Sequence, residues 1–303
     1  LRVLVTGGAG FIGSNLAKRL SSDGYDVTVL DDFQSGHWTN LVEFKGDVIT
    51  AELSQPALAS LPPFEVIFHE GSITDTTVHD QRRMMQNNVE AFRQLLDLAA
   101  GWKSRVIWAS SASIYGRRQP PNTESQPPDP LNVYACSKLL MERMAERYRD
   151  RLSHPIVGLR YFNVYGPGED HKGKFSSMIH QLAKQMRSGK RPRVFTAGEQ
   201  KRDFVYVDDV VQANLKGLQA KAGGVFNVGC GGAFTFNQVV AELNYALKTD
   251  LPPEYFPNPY SFTQDWTEAD LSQSRRGLGY EPKYDLKQGV VAYQESGKLG
   301  VSI

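Results

Sequence analysis

Tyr134 and Lys138 stand four residues apart in Tyr134-Ala135-Cys136-Ser137-Lys138, so a helix opening there carries both on one face. An ammonium one turn from a phenol favours the phenolate, the form a tyrosine needs to take a proton from a hydroxyl. Moving a phenol from its ordinary pKa of roughly 10 to ~7 requires about 4 kcal/mol of preferential anion stabilisation. A Y-x-x-x-K pattern is common by itself and gains meaning only from what precedes it. Ser111 lies 23 residues earlier, in the hydroxyl run Ser110-Ser111-Ala112-Ser113 that closes the apolar stretch Val106-Ile107-Trp108-Ala109. Taken singly, such serines read as loop or cap residues.

The elements that must position these side chains begin with Val3-Leu4-Val5-Thr6, a buried strand, and Gly7-Gly8-Ala9-Gly10-Phe11-Ile12-Gly13, a glycine turn entering a helix over 11–22. Gly7 permits the tight turn, Gly10 brings bare backbone to a pyrophosphate, and Gly13 lets the helix lie close on the strand. The free amides at the helix start, around Phe11 and Ile12, then face the anion. A second apolar run, Val27-Thr28-Val29-Leu30, ends in Asp31, 18 residues after Gly13. There a βαβ dinucleotide fold needs a carboxylate for the adenosine ribose hydroxyls. Asp31-Asp32 with no adjacent Lys or Arg favours NAD; NADP is the alternative, since its 2′-phosphate would meet like charge unless Lys45 or His37 folds inward. Asp47-Val48 closes another short strand and offers either an adenine contact or a plain surface acid.

Val66-Ile67-Phe68-His69 stops at Glu70-Gly71, as a central parallel strand ending at the cofactor would, with His69 packed in the core. Helical spacing of apolar residues predicts a helix over 81–100, whose Asn87-Asn88 are either solvated or in contact with the cofactor loop. A proline-rich loop over 119–130 separates the serines from the Tyr134 helix. A strand over 156–162 follows, and beyond Gly166-Pro167 the alternation loosens into a helix over 175–187, a basic run over 187–193 and a strand led by Arg202, a cation suited to a diphosphate. The pattern predicts an α/β fold: a doubly wound parallel (Rossmann) sheet over 1–166, then a smaller, mostly C-terminal α+β substrate lobe over 167–303, with 201–230 returning to the main sheet.

Across 303 residues, 34 Lys and Arg balance 33 Asp and Glu, so no global field favours nucleic acid or an anionic membrane. The basic run lacks interleaved aromatics and reads as a solvated loop. Two cysteines, Cys136 and Cys230, argue against a disulfide framework and for a reducing compartment, and six histidines without metal-ligand spacing argue against a metal. With no leader at the start and no run near the ~20 apolar residues of a membrane span, the expected location is cytoplasmic. Apolar positions on the helices around 84–100 and 137–149 suit either core packing or a homo-oligomer, a dimer or larger.

Gly7, Gly10 and Gly13, Asp31, Ser111, Tyr134 with Lys138, Arg160-Tyr161-Phe162-Asn163-Val164-Tyr165-Gly166-Pro167 and Arg202-Asp203-Phe204-Val205-Tyr206-Val207 together resemble the extended short-chain dehydrogenase/reductase superfamily of nucleotide-sugar epimerases and dehydratases. The resemblance covers essentially the whole chain. Within it, His171-Lys172-Gly173, Lys201-Arg202-Asp203 and Phe68-His69-Glu70-Gly71 resemble the ADP-glycero-manno-heptose 6-epimerase branch. It implies an enzyme that inverts an unactivated carbinol carbon by transient oxidation with bound NAD, returning the hydride to the other face of a keto sugar. Tyr134 is then the base, Lys138 its cation and Ser111 the hydrogen-bond partner of the reacting oxygen. The implied cofactor set adds Asp32, Asp47, Val48, Glu70, Gly71, Asn87, Asn88 and Val164 to the glycine loop. In the heptose branch the lysine at Lys172 is a second acid/base, with a phosphate or surface cation as the alternative. Substrate contacts fall on Ser111, Asn163, Lys174, Phe195 and Arg202.

The chain departs from that branch in the substrate lobe. Gly168 stands for an Arg, Lys174 for a Ser, Gln181 for a His and Thr263 for a substrate Tyr, which leaves the sugar and nucleotide open. The dehydratases carry Thr-Asp-Glu where this chain has Ser111-Ala112-Ser113, so dehydration is disfavoured. A UDP-sugar 4-epimerase, of UDP-glucose or UDP-glucuronate type, keeps the same Ser, Tyr and Lys. A dinucleotide-binding sensor or scaffold would not require the Tyr and Lys that are present.

Overall fold

A computed structural model describes residues 1–53, 61–76, 80–257 and 265–301. The first half alternates strand and helix: β1 (Arg2–Thr6), α1 (Phe11–Ser22), β2 (Asp26–Asp31), β3 (Asp47–Thr50), β4 (Val66–His69), α2 (Gln81–Met84), α3 (Ala91–Trp102), β5 (Arg105–Ser111), α4 (Val133–Tyr148) and β6 (Ile156–Tyr161). Then follow β7 (Asn163–Tyr165), α5 (Met178–Arg187), β8 (Arg193–Phe195), β9 (Lys201–Arg202), β10 (Phe204–Tyr206), α6 (Val207–Leu218), β11 (Gly224–Val228), β12 (Phe234–Thr235), α7 (Phe236–Leu247), β13 (Glu254–Phe256), α8 (Ser272–Leu278) and α9 (Leu286–Glu295).

Seven strands form the main sheet in the order β11-β6-β5-β4-β1-β2-β3, all parallel. Strands with both faces covered need continuous apolar runs, and Val3, Leu4 and Val5 of β1 and Ile67 and Phe68 of β4 are fully buried or nearly so. The order reverses between β1 and β4, which opens a crevice beyond their carboxyl ends. Leu16 and Leu20 of α1 and Val210 and Ala213 of α6 pack on one face of the sheet. Phe92, Leu95 and Leu96 of α3 and Met141 of α4 pack on the other.

A third core joins α5, α7 and α9 to β8 and β10 around Tyr165, Tyr206, Phe236 and Tyr293. In the chain's later part, β10 pairs with β7, while β11 pairs with β6 and so widens the main sheet.

Three elements differ from the spacing-based expectation. The helix expected over 81–100 is interrupted by a π-helical segment, Met85–Glu90, between α2 and α3. The extra residue per turn is invisible in an apolar repeat, and such bulges cluster at functional sites. The helix expected from 175 starts at Met178, capped by the Ser177 side chain, after a 3₁₀ segment Asp170–Phe175 broken at Gly173 (φ +54°). The strand through Asp47-Val48 starts there and runs on to Thr50, so these two residues open it.

Candidate active site

A cleft of about 1410 Å³ lies at the crevice. Its backbone end is the glycine loop. Gly7 holds φ +66°, and a Cβ on it would sit 2.5 Å from the Gly71 nitrogen; one on Gly13 would sit 2.2 Å from the Gly7 carbonyl oxygen. Helix and strand can touch at that distance only without side chains. Helix α1 starts after Gly10 with no side-chain cap and no acidic residue in its first turn, so its amides and positive pole are open to an anion. Asp31 ends β2 with Oδ2 accepting from the Ala9 amide (2.9 Å) and Oδ1 from that of Phe33 (2.8 Å). It thereby locks the glycine loop to the following turn, while burial pushes its carboxyl above the usual range.

The other end is made of buried side chains. Asn132 caps α4 by accepting from the Ala135 amide (2.8 Å), placing Tyr134 in the first turn and Lys138 in the second. Lys138 Nζ donates to Ser72 Oγ and to the Ala109 carbonyl, each at 2.7 Å, which leaves one of its three donors, and it lies 5.9 Å from the Tyr134 ring centroid. Burial lowers the ammonium to about 8, opposed by the carboxylates of Glu70 and Glu142. Tyr134 is pushed up by burial, opposed by a hydrogen bond with Ser111. Glu70 Oε1 accepts from the Tyr161 hydroxyl (2.8 Å), which accepts from Asn214 Nδ2 (2.8 Å). Burial lifts the Glu70 carboxyl to about 7, against the pull of that hydrogen bond and of Lys138. His69 beside it stacks on Phe92, shares a hydrogen bond with Thr6 and is held neutral by burial, its pKa pushed down to about 3.

Most of the residues singled out by sequence line this one cleft: Gly7, Gly10, Phe11, Ile12, Gly13, Asp31, Asp32, Glu70, Gly71, Asn87, Ser111, Tyr134, Lys138, Asn163, Val164, Lys172, Phe195 and Arg202. Arg202 is lowered to about 10 by burial, with Asp265 opposing. Lys172 Nζ sits 5.7 Å from the ring centroid of Phe11, the first residue of α1; burial lowers its pKa and Glu169 opposes. Four residues fall outside. Asp47 and Val48 pair with Thr28 and Val29, below the carboxyl end of β2, so Ala51, Glu52 and Leu53 reach the cleft instead. The π turn sends Asn87 into the cleft and buries Asn88, whose side chain holds the Ile73 backbone and Ser137. Lys174 lies past the Gly173 turn, exposed over Phe175.

Gln181 braces the carbonyls of Lys174 and Ser176, and Gly168 holds φ +98° beside Asn15 and Asn40. Thr263 lies outside the described residues.

Sequence reasoning missed two supports. Asn40, buried, donates to the Ala9 and Gly168 carbonyls (3.0 and 3.2 Å) and contacts His171 Nδ1 (3.2 Å). Glu169, fully buried, accepts from the Gly166 amide (3.1 Å), the Ser177 hydroxyl (2.8 Å) and the Ser177 amide. Asn40 has no local pattern because it joins segments far apart in the chain, whereas Glu169 ties together the turn from Gly166 to Ser177, whose irregular backbone carries no periodic signal.

An uncapped glycine-loop helix, an acid ending β2 and a Ser-Tyr-Lys set on one cleft define a dinucleotide-binding fold with the side chains for proton transfer at a hydroxyl. The chain belongs to the NAD dependent epimerase/dehydratase family, whose model matches residues 3–229. It is similar to Helicobacter pylori ADP-L-glycero-D-manno-heptose-6-epimerase, at 41% identity and TM-score 0.92 over 97% of this chain and 95% of that one. It is also similar to UDP-glucose 4-epimerase from Thermotoga maritima, at 30% identity and TM-score 0.91 over 97% and 98%. UDP-glucuronic acid 4-epimerase from Bacillus cereus, solved with UDP-glucuronic acid and NAD, matches at 27% identity and TM-score 0.85 over 97% and 98%. Among the described residues no helix is long and apolar enough to cross a membrane, and no three His, Cys, Asp or Glu are grouped to hold a metal.

Proposed function

We propose that this protein is a nucleotide-sugar epimerase that inverts one carbinol centre through a transient keto sugar, with ADP-glycero-manno-heptose, changed at C6, as the substrate. The observation that carries the reading is the placement of Tyr134, Ser111 and Lys138 on the wall of the same cleft as the open start of α1. The residues fit NAD: Gly10 keeps the approach to the α1 amides bare and Asp31 stands at the end of β2. When bound, NAD supplies the acceptor and donor of hydride.

The protein does the rest. Ser111 holds the reacting hydroxyl and Tyr134 takes its proton as phenolate, then gives it back after the keto sugar has turned its other face. Lys138, kept cationic by Glu70 and Glu142, lowers the cost of the phenolate. Asn163 meets the sugar, Phe195 the base, and Arg202 and Lys172 the diphosphate. Lys172 over the first ring of α1 suits a cation for phosphate; as a second acid it would act opposite Tyr134.

Incubation with ADP-heptose, UDP-glucose and UDP-glucuronate, read by NMR for inversion, tests the reading. Product with UDP-sugars alone would replace it with a 4-epimerase, the second reading, since the departures at Gly168, Lys174 and Gln181 leave the nucleotide and sugar open. Leu139 and Leu140 of α4 stay half-buried and give a second copy of the chain an apolar face to pack on, whereas Leu98 of α3 and Met144 of α4 pack on the chain's own core. Light scattering showing a monomer would remove that part.

A further inference from the structure

We propose that the Glu70 carboxylate is the group by which this protein favours oxidised over reduced dinucleotide. The inference rests on the reading of the cleft as an NAD site whose nicotinamide end is marked by Tyr134 and Lys138.

Glu70 directly follows β4 and is held there by its amide, which donates to the Thr6 carbonyl (3.1 Å), so it stands at the carboxyl edge of the sheet and lines the cleft. Three elements fix its side chain in place, because the Tyr161 hydroxyl at the end of β6 donates to it and Asn214 of α6 orients that hydroxyl. Among the described residues Glu70 forms no ion pair within 4.0 Å. Its neighbour His69 is uncharged, and Arg160, next to Tyr161 in β6, has its guanidinium held two-pronged by Glu142 at 2.8 and 2.7 Å. Lys138 acts on it only through space, since two of its donors are spent on Ser72 and Ala109.

A half-buried carboxylate so placed is costly by itself and is stabilised by any cation that enters the cleft. The oxidised nicotinamide ring carries a positive charge, and the reduced ring carries none. The rest of the dinucleotide is the same in both. Glu70 therefore adds to the affinity for one redox state and leaves the other nearly unchanged, by about tenfold or more for unit charges within roughly 12 Å of each other at an effective dielectric of roughly 20. An enzyme that must begin each cycle by accepting hydride gains from resting in the oxidised form.

The test is competition of NAD⁺ against NADH for cofactor-stripped protein, followed by the fluorescence of bound NADH. Glu70→Gln should cut the preference for NAD⁺ about tenfold with NADH affinity nearly unchanged, and Glu70→Asp, which keeps the charge, should retain most of it. A purely structural role would weaken both nucleotides alike; an unchanged ratio in Glu70→Gln overturns the proposal. Should that variant fail to fold, Tyr161→Phe removes the donor that holds the carboxylate and should lower the same ratio by a smaller factor, and an unchanged ratio there also overturns it. Wild-type protein that binds neither nucleotide defeats the NAD reading itself, and the inference with it, whereas binding of both with no charge dependence defeats the inference alone.

Discussion

Around the start of α1 the cleft wall is bare backbone, while around α4 it is a set of buried titratable side chains. The glycine end works by closeness, with a Cβ on Gly13 brought to 2.2 Å from a carbonyl oxygen. The Tyr134 end works by charge, with an ammonium lowered to about 8 and a carboxyl raised to about 7 on one wall. The first end should therefore fail by sterics and the second by isosteric changes that merely alter protonation.

The largest effect is expected at the glycine end. Gly13→Ala puts a methyl group into backbone that has no flexible atom to yield, so α1 must move off β1. The cost is on the order of 3 kcal/mol of stability, with loss of dinucleotide retention. A Tm within a degree of wild type together with full cofactor content would show that the contact is not tight. Gly101, in α3, has nothing within 4 Å of its Cβ position, and Gly101→Ala should stabilise by roughly 0.5–1 kcal/mol, confirming that space rather than glycine count is at issue.

Next comes Tyr134→Phe, which keeps the ring and removes the proton carrier. Turnover should fall about 10²–10⁴-fold, the usual worth of a positioned acid or base, with dinucleotide binding kept. Turnover near wild type with the true substrate would remove Tyr134 from the mechanism.

The two ends were unequally legible in the sequence. Gly7 and Gly13 could be read because closeness restricts residue type, since no side chain fits there, and Asp31 because the apolar run of β2 stops at it, one helix after the turn. Tyr134 and Lys138 were legible as a pair because a helix fixes their relation. What could not be read is what comes from far away in the chain, such as the bonds of Lys138 to Ser72 and Ala109 or of Glu70 to Tyr161. The π segment was hidden for a different reason, since one inserted residue leaves the apolar repeat almost intact while turning Asn88 inward. Asp47 and Val48 were misplaced by taking the start of a short strand for its end. The doubly wound parallel sheet followed from apolar runs at β1, β2, β4, β5 and β6 that each stop at polar residues or glycine, whereas the strand β11 itself, within the returning 201–230 region, and the count of seven strands were not read.

The pH dependence separates charge from packing at the second end. Lys138 loses its proton above about 8, and with it the support for the phenolate, so turnover should fall about tenfold per unit beyond that point. Stability should move the other way. The unfolded lysine keeps its proton to its ordinary 10.5, so between 8 and 10.5 the unfolded state binds more protons and this group favours folding more as pH rises. Glu70 and Asp203 have the opposite sign. Burial raises them to about 7 and about 6 from 4.5 and 3.8, so the stability they contribute is present at acid pH and is lost as pH rises through those values. The fall in Tm between pH 5 and 7 should be shallower in Glu70→Gln, where only Asp203 remains of the two. An equal slope in both proteins would mean that Glu70 titrates near its ordinary value.

The smallest effect expected is at the place where the two ends are tied together. Asn40 spans from the Ala9 carbonyl in the glycine loop to the Gly168 carbonyl and His171, next to Lys172. Removing its amide in Asn40→Ala takes a side-chain donor from each carbonyl, of which that of Ala9 keeps the His37 amide, at a cost of about 1 kcal/mol. If the only consequence is looser packing, the loss appears in Tm alone. If Asn40 holds Lys172 against the start of α1, the KM for the nucleotide sugar rises several-fold while kcat with bound substrate changes little. The double variant with Lys172→Ala then adds almost nothing in KM to Lys172→Ala, because both substitutions remove one interaction. Additive effects would mean that the backbone end and the side-chain end act independently. Lys172→Arg sharpens the outcome further: it keeps a cation for phosphate but gives no proton near neutrality, so near-normal turnover in that variant leaves Lys172 as a cation and Tyr134 as the one proton carrier.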